Sequence, residues 1–153
     1  MNITEIAIIL DNINDLEQIK SCKEYLERFG LRYEVTTISA LCDPQGLQEF
    51  VQKETLNGIK LFITAADFPA GLAAAVASHT FLPVIHIPLI TPNQNPHALF
   101  ALAQTPEGIP IATMGLGSAG AKNAAILAAQ ILSMSDVHLK ERLRFFKQNS
   151  CRF

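Results

Sequence analysis

Apolar and polar positions fall into alternating blocks along this chain, with short aliphatic runs separated by stretches in which apolar residues recur every three or four positions. Glu5–Leu10 is a β-branched run that predicts a first strand. Asn14 then reads as the cap of a helix whose apolar stripe is Leu16, Ile19, Cys22, Leu26 and Phe29, with Gly30 as its stop. Tyr33–Ile38 predicts a second strand. Asp43 and Pro44 supply a cap and a first-turn proline to a helix that carries Leu47, Phe50 and Val51. Lys60–Thr64 predicts the third strand and Pro69–Thr80 an alanine-rich helix. Pro83–Ile87 is the fourth strand, apolar enough for burial on both faces. A polar loop with Pro88, Pro92 and Pro96 leads to a helix near Ala98–Gln104. Pro110–Met114 then reads as the fifth strand, Ser118–Leu132 as a long alanine-rich helix and Val137–Lys147 as a final one.

Five strands separated by helices imply right-handed crossovers and a parallel sheet covered on both faces. The expected fold is a three-layer α/β sandwich with strand order 2-1-3-4-5, one domain spanning 1–153 with no linker or repeat. In such sheets ligands bind beyond the carboxyl ends of the strands. That places the candidate loops at Asp11–Asp15, Ser39–Pro44, Ala65–Gly71 and Pro88–Pro96.

Composition narrows the function classes. The chain is 49% apolar and 17% charged, with a net charge of −2, and its basic residues cluster only at Lys140–Lys147. Nucleic-acid binding has little electrostatic support in that balance. The runs Leu82–Ile90 and Ala124–Leu132 are too short to cross a membrane, and the amino-terminal stretch does not read as a signal peptide. Cys22, Cys42 and Cys151 have no metal spacing and read as free thiols in a reducing cytoplasm.

Gly115-Leu116-Gly117-Ser118-Ala119-Gly120 spells a glycine-rich dinucleotide pattern, but no following strand or ribose-binding acid accompanies it. A tight turn with close helix packing is expected, and no cofactor. In the first loop Asp15 suits either a ligand or the helix dipole, and with Asp11 it repels phosphate. Cys42 has no base nearby in sequence to make it a nucleophile. His79, His86, His97 and His138 are dispersed without metal-ligand spacing, so no metal is expected. His86 and His97 lie near the carboxyl end of the fourth strand.

Together these segments resemble the carboxyaminoimidazole ribonucleotide mutase and phosphoribosylaminoimidazole carboxylase (PurE-like) family over Ile6 to about Leu143. Pro106-Glu107-Gly108-Ile109-Pro110 and the stretch Gly117–Leu132 are similar to the family's PxGIPV…GxAGAxNAALLAAQIL. Thr80–Ile85 matches the start of its TxxPVxGVP strand. The family's chemistry lies in three loops, and here they differ. Its GSxSD becomes Asp11-Asn12-Ile13-Asn14-Asp15, which keeps the ribose-binding acid at Asp15. Its SAHRTP becomes Ser39-Ala40-Leu41-Cys42-Asp43-Pro44, with Leu41 for the histidine and Cys42 for the phosphate-binding arginine. Its GAGGAAHLPG falls on Thr64–Ala74, where Asp67-Phe68 replace two glycines, Gly71 replaces the histidine and Leu72 is retained.

The resemblance implies carboxyl transfer on an aminoimidazole ribonucleotide in purine biosynthesis, and a homo-octamer whose carboxyl-terminal helix (about 137–147) extends to a neighbour. It places a phosphorylated ribonucleotide or other small molecule against Asn12, Asn14, Asp15, Ser39, Ala40, Leu41, Cys42, Ala66, Asp67, Gly71 and Leu72. Leu41 and Gly71 carry no proton, so catalysis would need a substitute base among Asp15, His86 and His97. A non-catalytic paralogue that binds a ligand or assembles a ring fits the same residues. So does an enzyme on another substrate, with Asp67 meeting a cationic group.

Overall fold

The computed structural model describes residues 4–67, 71–91 and 104–153. Its sheet has the order β2-β1-β3-β4-β5, with every pairing parallel. The strands are β1 Ile6–Leu10, β2 Tyr33–Thr37, β3 Leu61–Ala66, β4 Val84–Pro88 and β5 Ala112–Thr113. The helices are α1 Lys20–Arg28, α2 Pro44–Asn57, α3 Gly71–Ser78, α4 Gly117–Leu132 and α5 Val137–Gln148. A 3-10 segment, Ile13–Ile19, precedes α1.

Side chains alternate across a strand, so the central strands feed two cores. Ile6, Ile8 and Leu10 of β1 join Ile63, Ile85 and Ile87 beneath α1, α4 and α5. Ala7 and Ile9 join Phe62, Ala66 and Val84 beneath α2 and α3. Strands β1, β3 and β4 are therefore buried on both faces, and the sequence there shows runs rather than alternation. On α4, Ala121, Ala124, Ala125, Ala128 and Ala129 are all buried, and such small residues let the helix lie close against α1. The apolar face of α5, Leu139, Leu143 and Phe146, is buried on its own chain, where Phe146 meets Phe29 edge-to-face at 5.4 Å.

Several expected boundaries move. Asn12 rather than Asn14 caps the first helical segment: its side chain accepts a hydrogen bond from the Asn14 amide at 2.9 Å, and Asp15 N donates back to Asn12 O. The fifth strand is shorter than Pro110–Met114, because Pro110 has no amide to give the ladder. Only Ala112 and Thr113 pair with β4, extended by Met114 N donating to His86 O. The helix expected near Ala98–Gln104 falls almost wholly outside the described residues, and Gln104 is not helical. Gly30 ends α1 with φ +69, and the αL residue Gly58 ends α2. Among the described residues no helix is long and apolar enough to cross a membrane.

Candidate functional site

The three loops after β1, β2 and β3 meet because those strands are neighbours in the sheet. Asp11 clasps two of them: its Oδ1 accepts a hydrogen bond from the Ala40 amide at 3.2 Å, while its own amide donates to Ala65 O. Sequence reasoning saw Asp11 only as a charge, since nothing local shows that an acid ending a strand will bridge to another loop. With Asp11 so engaged, Asn12 and Asn14 stand exposed at the mouth and Asp15 is half-buried. Burial raises the Asp15 pKa, and the carboxylates of Asp67 and then Asp11 push it up further.

The second loop is held by local bonds. Ser39 Oγ accepts from Cys42 N at 3.4 Å, and Asp43 Oδ1 caps α2 by accepting from Gly46 N at 2.9 Å. These bonds leave Leu41 89% exposed beside the free, exposed thiol of Cys42. In the third loop, Ala66 and Leu72 are buried in the core and Asp67 is exposed. Gly71 begins α3, and a Cβ placed on it would meet no atom within 4 Å among the described residues. The structure thus brings Asp15 and Asp67 together and leaves the mouth without an imidazole at position 41 or 71. Among the described residues, Asp11, Asp15 and Asp67 take part in no ion pair.

The remaining candidates lie elsewhere. His97 falls outside the described residues. His86 is in the middle of β4 and only 1% exposed, beside Thr64 in the strand register. Its Nδ1 is 2.9 Å from Thr64 Oγ1, while Nε2 is buried with no hydrogen-bond partner among the described residues. Burial lowers its pKa to about 4, against a smaller upward effect of its hydrogen bond with Thr64, so the ring is neutral at pH 7. The similar strand motif TxxPVxGVP has glycine where this chain has His86. The Thr64–His86 pair was not legible beforehand, because partners 22 residues apart meet only once strand register is known.

The glycine-rich segment behaves as a packing turn. Gly117 has φ +66, and a Cβ on Gly120 would lie 1.5 Å from Gly115 O. Ser21 Oγ donates to Ser118 O at 3.1 Å, which ties the turn to α1. No group of three or more His, Cys, Asp or Glu side chains that could hold a metal occurs among the described residues. Chemically, the mouth offers carboxylates and side-chain amides to hydroxyl or amine groups. It offers no guanidinium fork to a phosphate.

A family model described as AIR carboxylase matches residues 5–152. The N5-carboxyaminoimidazole ribonucleotide mutase of Saccharolobus solfataricus is 35% identical over 146 residues, spanning 95% of this chain and 91% of that protein. The mutase of Thermotoga maritima is 37% identical over 144 residues, spanning 94% and 83%. The crystal structure of Treponema denticola PurE superposes with a TM-score of 0.87 at 22% identity, covering 96% of this chain and 91% of that one, a likeness of fold.

Proposed function

Because this chain belongs to the AIR carboxylase family, we propose that it binds an aminoimidazole ribonucleotide, or a small molecule of similar shape, at the carboxyl ends of β1, β2 and β3. We propose further that it does not transfer a carboxyl group by the family's own residues. The observation that carries this reading is the pair Leu41 and Gly71, an exposed aliphatic side chain and an open position where the family's loops carry histidines. Moving a carboxyl group onto an imidazole carbon requires a proton to be removed, and a positioned acid or base contributes about 10²–10⁴-fold to such a step. In the bound state Asp15 accepts hydrogen bonds from ribose hydroxyls, and Asn12 and Asn14 border the sugar.

A second reading is supported by the raised pKa of Asp15, which brings a carboxyl group nearer to holding a proton at working pH. There the reaction runs with Asp15 as the relocated acid or base.

Carboxyl transfer on aminoimidazole ribonucleotides by the purified protein, beside calorimetric titration of the same compounds, separates these. Binding that Asp15→Ala weakens at least about tenfold, with turnover near background, is the expected result. Turnover abolished by Asp15→Asn, His86→Gln or His97→Gln would establish a relocated base. Absence of both binding and turnover would sink the ligand assignment. Assembly as a homo-octamer is part of the proposal, supported by the exposed apolar side chains Ile13, Leu41, Phe81 and Phe145. Light scattering that gave a monomer at micromolar concentration would end it. Its three free thiols suit a cytoplasmic location.

A further inference from the structure

The pole opposite the ligand mouth carries an opening that the proposed function does not use. Helix α2 spans 14 residues, about 20 Å, and leads from the mouth's second loop toward the start of the sheet, where Lys60 N donates to Glu5 O. Its last turns face the end of α3 and the link into β4 across a cleft of about 600 Å³. A second cleft of about 560 Å³ continues up α2 to Pro44 and shares Gln52 and His79 with the first. Leu56 and Phe81 line the larger cleft, and each is 86% exposed. Two such side chains around one concavity suit an apolar body between them.

The polar lining is wired by hydroxyls in a single direction. Leu82 N donates to Thr80 Oγ1 at 3.1 Å, the Thr80 and Thr55 hydroxyls are 2.9 Å apart, and Thr55 Oγ1 donates to Val51 O at 2.7 Å. A hydroxyl has one proton to give. Thr55 spends its proton on Val51, so Thr80 must donate to Thr55. Ser78 Oγ likewise donates to Ala75 O at 2.8 Å. The three hydroxyls therefore have only lone pairs left to offer a ligand. The carboxyl ends of α2 and α3 add partial negative charge to the same place. Glu49 borders the adjoining cleft, and no lysine or arginine lines either cleft among the described residues. Lys53, on the same helix, is paired with Glu54 at 3.5 Å.

We propose that this cleft is a second ligand site, and that it takes a small protonated amine with an aromatic body. The ammonium donates to the oxygens of Thr55, Ser78 and Thr80, which have no proton to return. The aromatic body lies between Leu56 and the ring of Phe81, where a cationic group also gains from the ring face. Gln52 and His79, whose side chains make no hydrogen bond among the described residues, close the rim. A carboxylate of the same size would meet lone pairs and helix carboxyl ends, so the cleft rejects it. Because the hydroxyl chain is set before the ligand arrives, binding requires little ordering of the lining. The site is separate from the mouth and stands whether or not a ribonucleotide binds there.

Ligand-observed NMR titration of the full chain with phenethylamine tests the site, with phenylacetate as its oppositely charged match. Phenethylamine should bind with a Kd of about 1 mM, and phenylacetate at least about tenfold more weakly. Phe81 is exposed, so Phe81→Ala should fold normally and weaken the amine about tenfold. Thr55→Val frees the Thr80 proton to face the cleft, so the preference for amine over carboxylate should shrink at least about threefold. Circular dichroism serves to show that each variant is folded. Asp67→Asn should leave the amine's affinity within about twofold, because the acidic mouth lies at the far end of α2. No binding below about 20 mM, equal affinity for the two compounds, or an amine affinity indifferent to Phe81→Ala would each overturn the proposal. A preference that Thr55→Val leaves intact would overturn the part given to the hydroxyls. Amine binding lost in Asp67→Asn would place the amine at the mouth and overturn the cleft as its site.

Discussion

A Cβ on Gly120 would lie 1.5 Å from the Gly115 carbonyl oxygen, whereas a Cβ on Gly71 would meet nothing within 4 Å among the described residues. The first glycine belongs to the turn that seats α4 on the sheet, and the second to the mouth where three loops converge. In the packing turn geometry forbids every other residue, so that stretch reads like the family's own. At the mouth nothing in the scaffold holds the residue type in place. A histidine can be absent there, and the fold survives its absence. A third position completes the contrast, since His86 fills a core place where the family strand motif has glycine.

The largest expected effect sharpens the packing side. Gly120→Ala should destabilise the protein by about 3 kcal/mol or more, because the neighbour that must move is backbone rather than a flexible side chain. Urea unfolding measures it, and a loss below about 1 kcal/mol would show that the turn yields.

His86 is expected to give nearly as much, but through pH. Its folded-state pKa of about 4 lies below the ordinary 6.5, so the unfolded chain binds more protons between those values. The contribution is fully present above pH 6.5 and is lost as pH falls through 4. With 1.36 kcal/mol per unit, its size is about 3 kcal/mol. Unfolding free energies from pH 7 to pH 4 should fall more steeply for the wild type than for His86→Gln. Equal slopes would mean that the imidazole is not held neutral by burial.

Much of this scaffold was legible in the residues and little of its wiring was. Continuous apolar runs such as Ile6–Leu10 state that a strand is buried on both faces, and Gly30 and Asp43-Pro44 mark a helix stop and a helix start by local chemistry alone. The loops could be assigned to the mouth because parallel topology dictates which ends converge. The clasp from Asp11 to the Ala40 amide joins residues 29 apart and depends on register, as does the Thr64–His86 pair. Capping by Asn12 instead of Asn14 was hidden for another reason. Both side chains cap well, and the choice was made by a 3-10 turn that no apolar period announces.

Gly71→Ala tests the permissive side and should have the opposite sign to Gly120→Ala. No described residue crowds the position, the residue starts a helix, and removing glycine's freedom from the unfolded chain stabilises by about 0.5 kcal/mol. Destabilisation at this site would break the comparison, because it would reveal a hidden constraint on the position where the family histidine is missing.

The smallest effect is the most specific to the mouth. Asp15 has its pKa raised by burial first and by the Asp67 carboxylate second, so its ionised form is disfavoured in the folded protein. A carboxyl group with a raised folded-state pKa costs stability above that pKa, and the cost disappears as pH falls below the unfolded value. Asp67→Asn removes one of the charges and keeps the shape. It should therefore stabilise the protein at pH 7 by about 0.2–0.5 kcal/mol, and leave stability unchanged below about pH 3. It should also move the Asp15 titration, followed by carboxyl-carbon NMR, toward the ordinary aspartate range. Stabilisation without that movement would place the strain of Asp67 on some other group. No change in either would mean that the carboxylates do not act on each other, and the mouth would then be no more selective for cations than any exposed rim.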